Sequence, residues 1–354
     1  MLRHVHARTV ADAAPALSDV SRLRARSWRT RAAAAVAATG LLVAPTTAAA
    51  HGGEATPPLT IERGLLAWSF DAGTWLGIAV VLGAYLWAVR RVDLAHPGSP
   101  VPRGRTFAWM AGLVVVLVAV QSPVERYSGV LFSVHMVQHL LLTMVAAPLL
   151  ALGAPVTLLL RVVRPEVRRR VVLPLLHSRL VSVVAFPVVS WILFSGFLYI
   201  AHFSPLFDAA LESPLLHQLE HALFLGTAML FWWPVVGADP SPHRMPHPAR
   251  VGYLFLGMPW SSFLGLAIFS SSTVLYPHYA TLRLGWGPTA IEDQALAGGV
   301  MWAGGDLLFL GALGIAIWAW LKAEDAKGRR HDARLDRERA SRDRAASAEQ
   351  PDRA

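Results

Sequence analysis

Seven apolar runs, each about the length needed to cross a lipid bilayer, constrain this chain more than any other feature. They are Gly73–Val89, Thr106–Ser122, Gly129–Leu150, Leu180–Ala201, Leu215–Val236, Val251–Leu275 and Ala295–Leu321. A helix needs roughly 20 residues to traverse the hydrocarbon, within a range of about 17–25. All seven runs are long enough, the second marginally. In lipid every backbone N–H and C=O must be paired inside the protein, and a helix does this within its own segment. The expected fold is therefore an all-α membrane protein, a bundle of about seven transmembrane helices. Charged residues are 16% of the 354, against about 25% in a soluble domain, and they crowd into the ends and loops. Trp68, Trp75, Trp87, Trp191, Trp260 and Trp318 fall near expected span ends, where an interfacial aromatic belt lies.

Loop charge sets the direction. Loop 90–105 carries Arg90, Arg91, Arg103 and Arg105, and loop 151–179 carries Arg161, Arg164, Arg168, Arg169, Arg170 and Arg179. Loop 237–250 holds Arg244 and Arg250, and ten Lys or Arg follow from Lys322 onward. The alternate loops hold Arg126, then none, then Arg283. Because Lys and Arg are retained on the cytoplasmic side, the amino terminus is expected outside and the carboxy terminus inside. The expected location is a bacterial cell membrane, with multiple passes and the lipid bilayer as solvent. The formal charge of +9 is then a topology signal, and no nucleic-acid partner is expected.

Residues 1–50 read as a secretory signal peptide. Arg22, Arg24, Arg26, Arg29 and Arg31 precede an apolar stretch over 32–43, and Ala48-Ala49-Ala50 supplies a small-residue cleavage site. The rival is an uncleaved signal anchor. Cleavage after Ala50 makes His51 an external terminus and 51–66 an external segment, followed by the seven-helix domain over 67–321. The stretch 322–354 holds ten basic and eight acidic residues. It is expected as a charged cytoplasmic tail that extends the last helix and then frays. The chain has no cysteine, which excludes disulfides, thiolate metal sites and thiol catalysis. Any metal must be held by His, Met, Asp or Glu.

The expected topology sorts the histidines. His135 and His139 fall in the outer part of span three, and His217 and His221 in the outer part of span five. Residues four apart share one face of a helix, separated by about 6 Å of rise. Each span thus presents a two-imidazole clip, and the clips share one depth. If they face each other, they supply four nitrogen ligands to one metal or to a close pair. Intramembrane polar groups are costly and point to function, although a buried histidine also serves as an interhelical hydrogen-bond partner. His202 and His278 end spans four and six on the same side, where a solvated histidine needs no further explanation. Met136, Met258 and Met301 lie at similar depth, and thioether with imidazole suits cuprous ion; methionine also serves as packing filler. Asp306, in span seven, is either a proton or metal partner or a helix–helix hydrogen bond. The glycines Gly298, Gly299, Gly304 and Gly305 permit close packing.

Other chemistries share these residues. His217-Gln218-Leu219-Glu220-His221 matches the inverted zinc-protease motif, with Glu220 as general base and Glu292 as an imaginable third ligand. Nothing in the sequence builds a substrate cleft for it. A membrane di-iron oxygenase also uses such clips, and haem could take at most one histidine of each pair. These enzyme readings are minor alternatives.

Several strings resemble the multi-span cytochrome c oxidase assembly factor family, CtaG. They are Ser133-Val-His135-Met136-Val-Gln138-His139, Ala147-Pro148 with Gly153-Ala-Pro155, His217-Gln-Leu-Glu220-His221, Met258-Pro259, Tyr276-Pro277-His278-Tyr279 and Asp293-Gln294 through Gly298-Gly299-Val-Met301-Trp302. The resemblance spans roughly 67–321. It implies a non-enzymatic assembly factor for a haem-copper cytochrome c oxidase, with oxidase subunits as partners and copper as the ion handled. On that implication His135, His139, His217 and His221 are the metal ligands; the residues themselves, apart from the resemblance, add His51, His202, His278, Met136 and Met301 as further candidates. A copper transporter is the alternative from another class, and a membrane metalloenzyme comes after it.

Overall fold

The computed structural model describes residues 57–282 and 284–348, and there is no strand among the described residues. The signal peptide expected over 1–50 and the terminus at His51 lie outside them. The chain divides into two compact units. The described part of the first is Phe70–Gly83, which holds the start of α1 (Ala72–Ala95). There the Asp71 carboxylate accepts from the Thr74 N–H and hydroxyl, each at 2.8 Å, and Phe70 stacks on Trp75. All that follows concerns the second unit.

Proline and small polar residues write the helix starts. α2 (Arg103–Gln121) ends at Ser122, whose side chain accepts from the Val124 N–H and opens α3 (Pro123–Ser128). The third apolar run is α4 (Phe132–Leu140), a π-helical segment over Leu141–Ala146, and α5 (Ala147–Leu152). Ala154 then adopts φ 51°, and α6 (Pro155–Val162) begins. Its free N–H groups are answered by the Asp239 carboxylate, which accepts from Val156 at 3.0 Å and Thr157 at 2.6 Å.

The fourth apolar run departs from the expectation of one continuous span. A short helix, Arg179–Val184, stops at Ala185, and α7 (Pro187–His202) starts afresh. Pro187 has no N–H to give to the preceding turn, so the helix breaks there. After His202 the chain bends by 70° into α8 (Leu206–Glu212). Among the described residues of both units, six helices are therefore long and apolar enough to span, or seven if the bent pair is one crossing. The remaining spans are α9 (Pro214–Val236), α10 (His247–Ser270), α11 (Ala290–Gly299) and α12 (Gly305–Ala348), with a further π segment, Val300–Gly304, between the last two. The tail expected to fray stays helical to Ala348. Pairs one turn apart support it, with Lys327 to Glu324 at 2.7 Å and Arg334 to Glu338 at 2.8 Å.

Packing fixes the frame. α10 and α11 approach so closely that a Cβ on Gly298 would lie 2.7 Å from the Gly265 carbonyl oxygen and 2.7 Å from Phe269 Cα. One apolar cluster, around Phe132, Phe207, Phe224 and Ile268, packs beneath the α3–α4 turn. A second, around Phe194, Phe231, Trp232 and Phe309, fills the far half of the same helices. Outward-facing side chains are apolar too: Phe107 is 72% exposed, Leu180 72% and Leu307 71%. Such a girdle is unfavourable in water and suits lipid.

Candidate metal centre

The first turn of α4 is anchored from another helix. The Asp293 carboxylate of α11 accepts from the Phe132 N–H at 2.5 Å and from the Ser133 hydroxyl at 2.5 Å. This satisfies donors that a helix start leaves open and fixes the rotation of α4. His135 and His139 follow one and two turns on, 0% and 4% exposed. Their rings lie 4.3 Å apart, centroid to centroid. Beyond them the Thr143 hydroxyl donates to the His139 carbonyl at 2.7 Å, and the Trp232 indole N–H donates to the Thr143 carbonyl at 2.8 Å. The π segment is thus held on both sides, directly below the second histidine.

α9 starts at Pro214, with the Ser213 side chain as its cap, and delivers His217, Glu220 and His221. The His217 and His221 rings lie 4.2 Å apart. The two clips face each other: His135 to His217 is 5.6 Å and His139 to His221 is 6.4 Å between ring centroids. His202, at the end of α7, joins them at 5.6 Å from His139. Its Nδ1 lies 2.7 Å from the Leu198 carbonyl oxygen. A carbonyl can only accept, so Nδ1 carries the proton and Nε2 keeps its lone pair.

Carboxylates complete the cluster. The donor atoms of His135, His139 and Glu220 all lie within 4.8 Å of one another, and so do those of Glu125, His217 and His221. Glu125 Oε2 is 3.9 Å from His217 Nε2 and accepts from the Gln138 amide at 2.5 Å. The same amide donates to the Ala119 carbonyl at 2.7 Å. Both ring nitrogens of His135 and of His139, Nε2 of His202 and of His221, and Oε2 of Glu220 have no hydrogen-bond partner in the protein. A buried polar group left unpaired costs about 1–3 kcal/mol. This concentration of lone pairs fits a transition-metal ion, for which neutral imidazole and carboxylate are ordinary ligands.

The other sequence candidates divide. Met136 and Met301 lie in the neighbouring apolar cluster and, with His139, Thr143 and Met144, line a cavity of about 20 Å³. They border His139 and belong to neither triad. His278 is turned elsewhere, its Nε2 3.0 Å from the Gly129 carbonyl oxygen. Asp306 accepts from the Ser262 hydroxyl at 2.6 Å, a helix–helix hydrogen bond. Glu292, imagined as a third zinc ligand, is exposed and occupied in a capping box with Thr289. Glu220 groups with the α4 clip although its own helix carries the other one. His51 lies outside the described residues. Sequence reasoning missed Glu125 and the anchoring role of Asp293. By hydropathy both fall in expected loops, where an acidic residue reads as solvated, although the structure places them in α3 and α11; only the family string that begins at Asp293 marked one of them.

Comparison with known proteins follows the same residues. The sequence model of the cytochrome c oxidase caa3 assembly factor family matches residues 83–323. Uncharacterized proteins of Mycobacterium bovis and Mycobacterium tuberculosis are each 36% identical over 292 residues, covering 80% of this chain and 44% of the relative. One of Mycobacterium leprae is 33% identical over 295 residues, with the same coverage of 80% and 44%. The chain thus spans less than half the length of the curated relatives it matches. No solved structure matches it.

Proposed function

We propose that this chain, which belongs to the cytochrome c oxidase caa3 assembly factor family, matures a haem-copper oxidase by holding copper in its buried histidine–carboxylate cluster. The observation that carries this reading is the set of unpartnered imidazole nitrogens of His135, His139, His202 and His221, gathered from three helices at one end of the helices. Five imidazoles against two carboxylates keep nitrogen in the majority, and nitrogen-rich sites prefer copper among the available divalent metals. The ion is cargo for the oxidase subunits and drives no reaction here. Binding is favoured over transport because the far half of the helices is filled by Phe194, Phe231, Trp232 and Phe309. Those aromatic side chains interrupt a polar path toward the far side, where Asp306 is bonded to Ser262.

The loop arginines support an orientation in which the cluster opens toward the outside. A reporter enzyme fused at residue 206 is expected to be active only outside the membrane, and one fused after residue 325 only inside. The reverse pattern would put the histidines at the cytoplasmic face and end the reading of delivery to an external copper centre. The function itself is tested in cells lacking the chain. Oxidase purified from them is expected to contain haem but little copper, and full copper occupancy there would remove the proposed role.

A further inference from the structure

We propose that the cluster holds two copper ions side by side, one on His135, His139 and Glu220 and the other on His217, His221 and Glu125. The inference rests on the metal-binding reading above and adds its stoichiometry. An ion with ligands at about 2.0–2.2 Å holds its donor atoms no more than roughly 4.4 Å apart. Within each triad the donors lie within 4.8 Å, and small side-chain rotations close the difference. The two triads share no ligand, and together they offer six donors, more than the four positions of a tetrahedral site.

The carboxylates argue the same way. Each clip has its own, brought from a different helix: Glu220 of α9 serves the α4 clip, and Glu125 of α3 serves the α9 clip. Gln138 links the two triads, since it precedes His139 in the chain and holds Glu125 through its amide. Two carboxylates with neutral imidazoles balance two monovalent ions or one divalent ion, so that counting the metal separates a two-ion centre from a single shared ion. His202 Nε2 is a further donor for the ion at His139.

The test counts metal. The full chain, purified in lipid nanodiscs, is loaded with cuprous ion without oxygen, desalted and measured by mass spectrometry. Two copper ions per chain are expected. Glu125→Gln with His217→Ala is expected to retain one, and Glu220→Gln with His135→Ala is expected to retain the other. Wild-type protein saturating at one ion overturns the two-ion centre and leaves the metal-binding reading standing. Wild-type protein binding none sinks both. A double variant that loses both ions while its circular dichroism stays helical also overturns the proposal, because the triads would then be one site.

Discussion

Replacing His139 and His221 together by alanine is expected to lower the copper affinity of the purified protein by more than the roughly tenfold to hundredfold that losing a ligand's supporting hydrogen bond costs. Each triad then keeps one imidazole and one carboxylate and has lost a third of its ligands. The helices should persist, since alanine is a strong helix former and tolerated in lipid; unchanged circular dichroism checks this. Either substitution alone should remove one ion and spare the other, so the losses add. Residues serving a single shared ion would give the opposite, with the second substitution adding little. In cells, the double variant should accumulate oxidase without its copper centre, and added copper should restore part of it by mass action. Unchanged metal content with normal oxidase would make these rings interhelical hydrogen-bond partners and end the copper reading.

A second large effect is expected at a residue that is not itself a ligand. Gly298→Val places side-chain atoms where the α10 backbone lies, with the Gly265 carbonyl oxygen 2.7 Å from the new Cβ. Backbone cannot yield as a flexible side chain does, so the two helices must separate. Overpacking of this kind costs about 3 kcal/mol or more at its upper range. Little folded protein should be recovered in detergent, and what remains should melt well below wild type. Gly196→Ala is the control: a Cβ there meets nothing within 4 Å, and its melting should not move. Equal behaviour of the two variants would show that the α10–α11 contact is not tight.

Much of this was readable in the chain, for reasons that differ by residue. Spans are legible because hydrocarbon enforces a length of apolar sequence, and six of the expected runs coincide with long helices. The fourth run is helical but interrupted, which hydropathy could not show because it is blind to the missing N–H of Pro187. The clips were legible because a four-residue spacing fixes a shared face whatever surrounds it. Their mutual approach was only an expectation, since nothing local says which helices are neighbours. Glu125 could not be read at all. It reaches the site through the tertiary placement of α3 and the Gln138 amide, and no periodicity connects residues 125, 217 and 221. Asp306 stood equally for two roles, and its bond to Ser262 accounts for it.

The π segments at Leu141–Ala146 and Val300–Gly304 give spans three and seven an uncommon freedom. A π turn takes up one residue more than an α turn, as though a residue had been spliced into a regular helix. Everything beyond it is rotated by about 100° relative to an uninterrupted run, the angle one residue subtends at 3.6 per turn. The half of span three that aims His135 and His139 is therefore out of phase with the half that packs Ala147 and Ala151 into the far cluster. Each half can be indexed to its own neighbours without compromise. Removing a single residue from Leu141–Ala146 would bring the halves into step, and the helix would have to choose between aiming its imidazoles and seating its floor.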